Sequence, residues 1–120
     1  MAVSGEDKLS AVTDVDIDDS GKFKYVLIKL YLGEKSKCVV RGYSWAEYHA
    51  DIYEDFQKRV MALGIETECL GGGRIEHSEK KLFVYGYSMG FGRADHTIAV
   101  KLLKESYPDY TSITYSNDGY

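Results

Sequence analysis

The segment Phe23–Leu32 (FKYVLIKLYL) limits the fold more than any other stretch of the chain. It is β-branched and aromatic, and after Lys24 it is apolar on both alternating faces. A strand of that kind belongs in the middle of a sheet covered on both sides. Gly33-Glu34 offers a turn, and Lys37–Tyr43 returns as a second strand. If a two-residue loop closes this hairpin, the numbers of opposed residues sum to an odd value. Arg41 then stands opposite an even-numbered residue such as Val26 and shares a face with Lys24.

The rest of the chain supplies the covering layers. Trp45, Tyr48, Ile52, Phe56, Val60 and Leu63 recur at spacings of three and four, which predicts a helix over 45–63. Ser44-Trp45-Ala46-Glu47 fits a capping box and Gly64 fits a stop. Strands are expected over 65–70, 74–77 and 82–87, with Gly71-Gly72-Gly73 and Ser78–Lys81 as turns. A second helix is expected over 93–107, ended by Pro108, and a last strand over 112–115. The order β-β-α-β-β-β-α-β describes one α+β domain, a mixed sheet of about six strands flanked by two helices. That domain is expected over 14–120. Residues 1–13 lack periodicity and read as a mobile arm. Asp14–Gly21 is acidic like a calcium loop but lacks the spacing of one, and reads as a turn.

Composition removes several function classes. With 120 residues, 44% of them hydrophobic and 28% charged, the chain can bury a core without staples. A net charge of −4 argues against a nucleic-acid partner. The apolar runs are too short for a membrane span, and the first residues hold no secretory apolar stretch. Only Cys38 and Cys69 occur, which fits reduced thiols in the cytoplasm. Nothing demands more than a monomer.

Few residues can carry chemistry. His49 lies near the start of the first helix, on the flank of its apolar stripe, with Arg41 and Lys24 on neighbouring strands. Ser88-Met89-Gly90 sits in the glycine-rich loop GYSMGFG, and such loops aim several backbone N–H groups one way and hold phosphate. Arg74 follows the triple glycine, which permits close approach. His77 and His96 are weaker candidates. No metal-ligand spacing, phosphate-binding P-loop or GxSxG elbow is found, so neither metal nor cofactor is expected. The tyrosines of Val84-Tyr85-Gly86-Tyr87 could stack RNA bases, against which the acidic balance argues.

Longer segments point further. These are FKYVLI (23–28), VRGY (40–43), WAEYHADIY (45–53), CLGGGRI (69–75), VYGYSM (84–89), YPDY (107–110) and NDGY (117–120). In this order they resemble the protein histidine phosphatases of the janus family, across nearly all of 14–120. The resemblance implies a metal-independent enzyme that hydrolyses phosphohistidine in proteins and peptides and releases inorganic phosphate, with phospholysine as a further candidate substrate. It implies that His49 is catalytic, as general base or as nucleophile. Lys24 would bind substrate, Ser88, Met89 and Gly90 would hold the phosphate, and Arg41 and Arg74 would belong to the same pocket. Gly90 stands where family members often carry alanine, and the first hairpin is short. A non-catalytic reader of phosphoproteins on the same fold is the alternative; it would not need His49.

Overall fold

The computed structural model describes residues 5–118. Its elements are α1 (Gly5–Ala11), β1 (Val15–Ile17), β2 (Gly21–Leu32), β3 (Lys35–Tyr43), α2 (His49–Met61), β4 (Glu66–Ser78), β5 (Lys81–Tyr85), α3 (His96–Ser106) and β6 (Ser112–Tyr115). They build a single α+β domain around one mixed six-stranded sheet of order β1-β3-β2-β4-β5-β6. The doubly apolar β2 lies inside it, between β3 and β4. Its Tyr25 and Leu27 face a core shared with Ile75, Val84 and the Ala99, Val100 and Leu103 stripe of α3. Val26, Ile28 and Leu30 face the other core, with Ile52, Phe56 and Val60 of α2. Alternation of side chains along one strand thus fastens one helix to each face. Among the described residues no helix is long and apolar enough to cross a membrane.

The hairpin register agrees with the sequence argument. Gly33, at φ +61°, closes a two-residue loop, and Val26 pairs with Arg41 and Lys24 with Tyr43. The count of six strands also agrees, through two compensating differences. The acidic stretch after residue 13 holds a short strand, β1, which pairs in parallel with β3 and buries Val15 and Ile17. The triple glycine is not a turn: β4 runs through it unbroken, with only an irregularity in its pairing with β2 near Leu27 and Ile28. Glycine is needed there because neighbours press on the strand. A Cβ on Gly72 would lie 2.6 Å from Cδ2 of His49, and one on Gly73 would lie 2.5 Å from the Tyr85 carbonyl oxygen.

The helices differ from expectation at their starts. Tyr48 is extended, at φ −128° and ψ 154°, so α2 begins at His49 rather than at Trp45. The acidic capping partner is Asp51, whose Oδ2 accepts the Tyr48 N–H at 2.8 Å. Ser44 is not the cap; its N–H goes to Asp18 Oδ2 at 2.7 Å. The buried stripe becomes His49, Ile52, Phe56 and Val60, which puts His49 on the stripe and leaves Trp45, Tyr48 and Leu63 exposed. Within the segment read as an arm, Gly5–Ala11 forms α1 and Leu9 is buried against the α2-side core. Residues 1–4 of that segment, and Gly119 and Tyr120 of the terminal motif, lie outside the described residues.

Candidate active site

The site forms where α2 begins over the sheet. Lys24 and Arg74 are cross-strand partners on β2 and β4, so their side chains leave the same face side by side. Two cations directly opposed repel each other, and an anion between them removes that cost. Both line a cleft of about 370 Å³ with Tyr48, His49, Ala50, Tyr87, Ser88, Met89, Gly90 and Phe91. The N-terminus of α2 opens into the same cleft, and its dipole adds positive potential there.

His49 is held at one ring nitrogen. Its Nε2 lies 2.9 Å from the Gly73 carbonyl oxygen. A carbonyl only accepts, so Nε2 carries the proton, and in the neutral ring Nδ1 keeps the lone pair. No hydrogen bond to Nδ1 occurs among the described residues. Burial lowers the His49 pKa below the usual imidazole value, and the Lys24 and Arg74 charges lower it further, against the opposing pull of the Gly73 carbonyl. The imidazole is therefore a neutral base at pH 7.

The glycine-rich loop is fixed from both sides. The Gly72 N–H donates to the Gly92 carbonyl and the Ala94 N–H to the Gly72 carbonyl, each at 3.0 Å. Phe91 packs edge-on against Tyr53 of α2, with centroids 5.7 Å apart. Inside the loop, Ser88 is buried and already engaged: its N–H donates to the Gly92 carbonyl at 3.1 Å and its Oγ accepts the Phe91 N–H at 3.1 Å. The Met89 and Gly90 amides make no such bond among the described residues. The donors on offer to a ligand are thus those of Met89 and Gly90, and Ser88 shapes the loop.

Five of the seven candidates therefore stand apart from Ser88 and Arg41 in what they can offer a ligand. Lys24, His49, Arg74, Met89 and Gly90 meet in the cleft. Arg41 does not line it. Its guanidinium is buried under the Phe56 ring, 4.8 Å from the centroid, and donates to the Val40 and Thr13 carbonyls. It shares a face with Lys24, as the register requires, but sits further along that face beneath α2. His77 and His96 lie elsewhere, each with both ring nitrogens bonded. The sequence reading missed Tyr48, Ala50, Tyr87 and Phe91 as cleft residues. Tyr48 fits the helical stripe in sequence, and only its extended backbone turns it to the rim.

Cys69 is no nucleophile here. Burial pushes its thiol pKa up to about 11. It packs on the α2 side of the sheet and Cys38 on the α3 side, so the two stay unpaired.

Fold and cleft together define a small α+β domain that brings a histidine and two cationic side chains to one cleft. The Janus/Ocnus family profile matches residues 9–111, and the chain belongs to that family. It is 52% identical to the 14 kDa phosphohistidine phosphatase of Sus scrofa over 121 aligned positions, covering 93% of this chain and 95% of the relative. It is 50% identical to the Homo sapiens protein of the same name, covering 93% and 96%. The sex-regulated protein janus-A of Drosophila melanogaster is 47% identical, covering 96% and 87%.

Proposed function

We propose that this chain is a protein histidine phosphatase. It hydrolyses phosphohistidine in proteins and peptides to histidine and inorganic phosphate, as a cytoplasmic monomer and without a metal. The observation that carries this is the state of His49: Nε2 tied to the Gly73 carbonyl, Nδ1 unbonded among the described residues, and Lys24 and Arg74 on the same cleft. Near-full-length relatives named for this activity support it. The free cysteines on opposite faces fit a reducing compartment.

Phosphoryl transfer spreads charge over three oxygens, and catalysis is mostly placement and charge stabilisation. Lys24, Arg74 and the Met89 and Gly90 amides hold the phosphoryl oxygens. Water attacks phosphorus, its proton goes to Nδ1 of His49, and the P–N bond breaks; the leaving imidazole nitrogen keeps the bonding pair and takes a proton from solvent, and His49 then returns its own proton to solvent. Arg41 acts from outside the cleft, fixing the chain before β1 through the Thr13 carbonyl.

The test is phosphate release from a phosphohistidine peptide in EDTA. His49→Ala, folded by circular dichroism, should lose about 10²–10⁴ in kcat, the range of a positioned general base. Binding of the peptide by an inactive wild type would favour the phosphoprotein reader. Full activity in His49→Ala would remove the assignment of the base.

A further inference from the structure

Between β3 and α2 the chain exposes its single tryptophan. Trp45 is 58% exposed, yet its neighbours are fixed. The Ser44 N–H donates to Asp18 Oδ2 at 2.7 Å, and Ala46 is buried in the α2-side core. The indole stacks on the Tyr43 ring, with centroids 5.6 Å apart and 15° between planes. The Tyr43 hydroxyl in turn donates to Asp16 Oδ2 at 2.7 Å. One face of the indole is thus held and the other is open, and no cation lies over it among the described residues. A side chain placed in this way has little freedom left to lose on binding.

Register sets its position relative to the cleft. Tyr43 is the cross-strand partner of Lys24, on the same face, and Lys24 is the partner of Arg74. The cleft-lining loop 87–91 follows β5 and stands on the Arg74 side, so Trp45 lies beyond the Lys24 side. The charge there is negative. Asp16 is the cross-strand partner of the buried Arg41 and is balanced by it. Lys22, the next cation along that face of β2, is balanced by Glu76 at 3.9 Å. Asp18, bonded to the Ser44 amide, and the exposed Glu47 belong to no ion pair among the described residues.

We propose that Trp45 and Asp18 form a subsite for an arginine or lysine side chain of the polypeptide flanking the phosphohistidine, with the cation on the open indole face. The inference rests on the phosphatase reading for what occupies the cleft. An aromatic face attracts a cation, tryptophan most strongly, and a carboxylate beside it adds to the attraction. Adjacent strands lie about 4.8 Å apart and an extended chain rises about 3.3 Å per residue. A substrate anchored by its phosphoryl group between Lys24 and Arg74 therefore reaches Trp45 with the residue two or three positions away.

The experiment compares two phosphohistidine peptides of the same composition and net charge. In the near peptide, arginines stand two and three residues from the phosphohistidine on both sides. In the far peptide, glutamines take those places and the arginines stand about eight residues away, beyond the screening length of about 8 Å. The readout is the ratio of their kcat/KM values within each protein. The wild type should favour the near peptide about fivefold, the scale of an exposed cation–aromatic contact. The preference should sit in KM, because the contact is made equally in ground and transition states. The ratio should fall to about 1 in Trp45→Leu. It should also fall in Asp18→Asn, whose amide oxygen still accepts the Ser44 N–H. A wild-type ratio of one, or a preference that both variants keep, overturns the subsite. The emission of the single tryptophan separates this from the activity. In His49→Ala the near peptide should change it and the far peptide should not. A wild type that releases phosphate from neither peptide, with emission that responds to the near peptide alone, would remove the phosphatase reading and keep the subsite. Equal turnover of both peptides with unchanged emission would remove the subsite and keep the phosphatase reading.

Discussion

His49 and His96 occupy equivalent local positions on opposite faces of the sheet. Each is the first residue of its helix. Each donates Nε2–H to a glycine carbonyl at 2.9 Å, Gly73 for one and Gly86 for the other. Each lies against a glycine of β4: a Cβ on Gly72 would meet His49, and one on Gly73 would come within 2.8 Å of His96 Cε1. Burial lowers both pKa values. The difference is at the second nitrogen. Nδ1 of His96 lies 2.5 Å from the Tyr25 hydroxyl, a phenol that burial keeps protonated and so able to donate. That ring is saturated and 1% exposed. Among the described residues Nδ1 of His49 meets no such donor, and its ring lines a cleft with two cations. Burial and helix position are thus common to both residues; an unspent lone pair next to positive charge is what sets His49 apart.

The adjacent glycines separate the two roles most sharply. Gly72→Ala presses on His49 and on the Tyr25 carbonyl oxygen, and should cost about 10²-fold in kcat, the scale of a misplacement near 1 Å. Gly73→Ala presses on the Tyr85 carbonyl and His96, and should show first as a lower melting temperature. Parallel assays of phosphate release and thermal unfolding on both variants check this. Next in size, Tyr25→Phe leaves His96 Nδ1 without its donor in the core. It should lose about 1–3 kcal/mol of stability in urea titration, with kcat changed far less. The smallest effect is expected at Gly90. Its Cβ position is open and its φ is not positive. Gly90→Ala should retain activity and gain up to about 1 kcal/mol in the same titration, because the unfolded chain loses freedom. A large loss there would mean that the loop must flex around Gly90 to close on phosphate.

These contrasts also mark how far the sequence could be read. The central strand, the hairpin register and the pairing of each helix with one face follow from alternation along Phe23–Leu32, because period-two patterns fix faces directly. The run Gly71-Gly72-Gly73 could not be read locally. Glycine there answers to His49, His96 and the 92–94 segment packing on the strand, contacts from distant parts of the chain. The start of α2 differs from expectation for a related reason: Ser44–Glu47 has capping chemistry, but Asp18 takes the Ser44 amide and Asp51 the Tyr48 amide. At the site, residue types and the family resemblance pointed to Lys24, His49, Arg74 and the Ser88–Gly90 loop. Which amides of that loop are spent, and that Arg41 lies under Phe56, depend on side-chain packing that strand register does not determine.

The central claim is that neutral His49, with its lone pair at Nδ1, is the base. The direct measurement is the pH dependence of the single-turnover rate alongside the NMR titration of the His49 imidazole. A group whose pKa is lowered is neutral above that pKa and protonated below it. The rate should therefore hold as pH falls past the ordinary imidazole value of about 6.5 and drop only through the lower His49 pKa. Lys24→Met removes a cation and should move the titration and the acid limb upward together, by the same interval. A rate that stays flat while the His49 ring protonates would contradict the account.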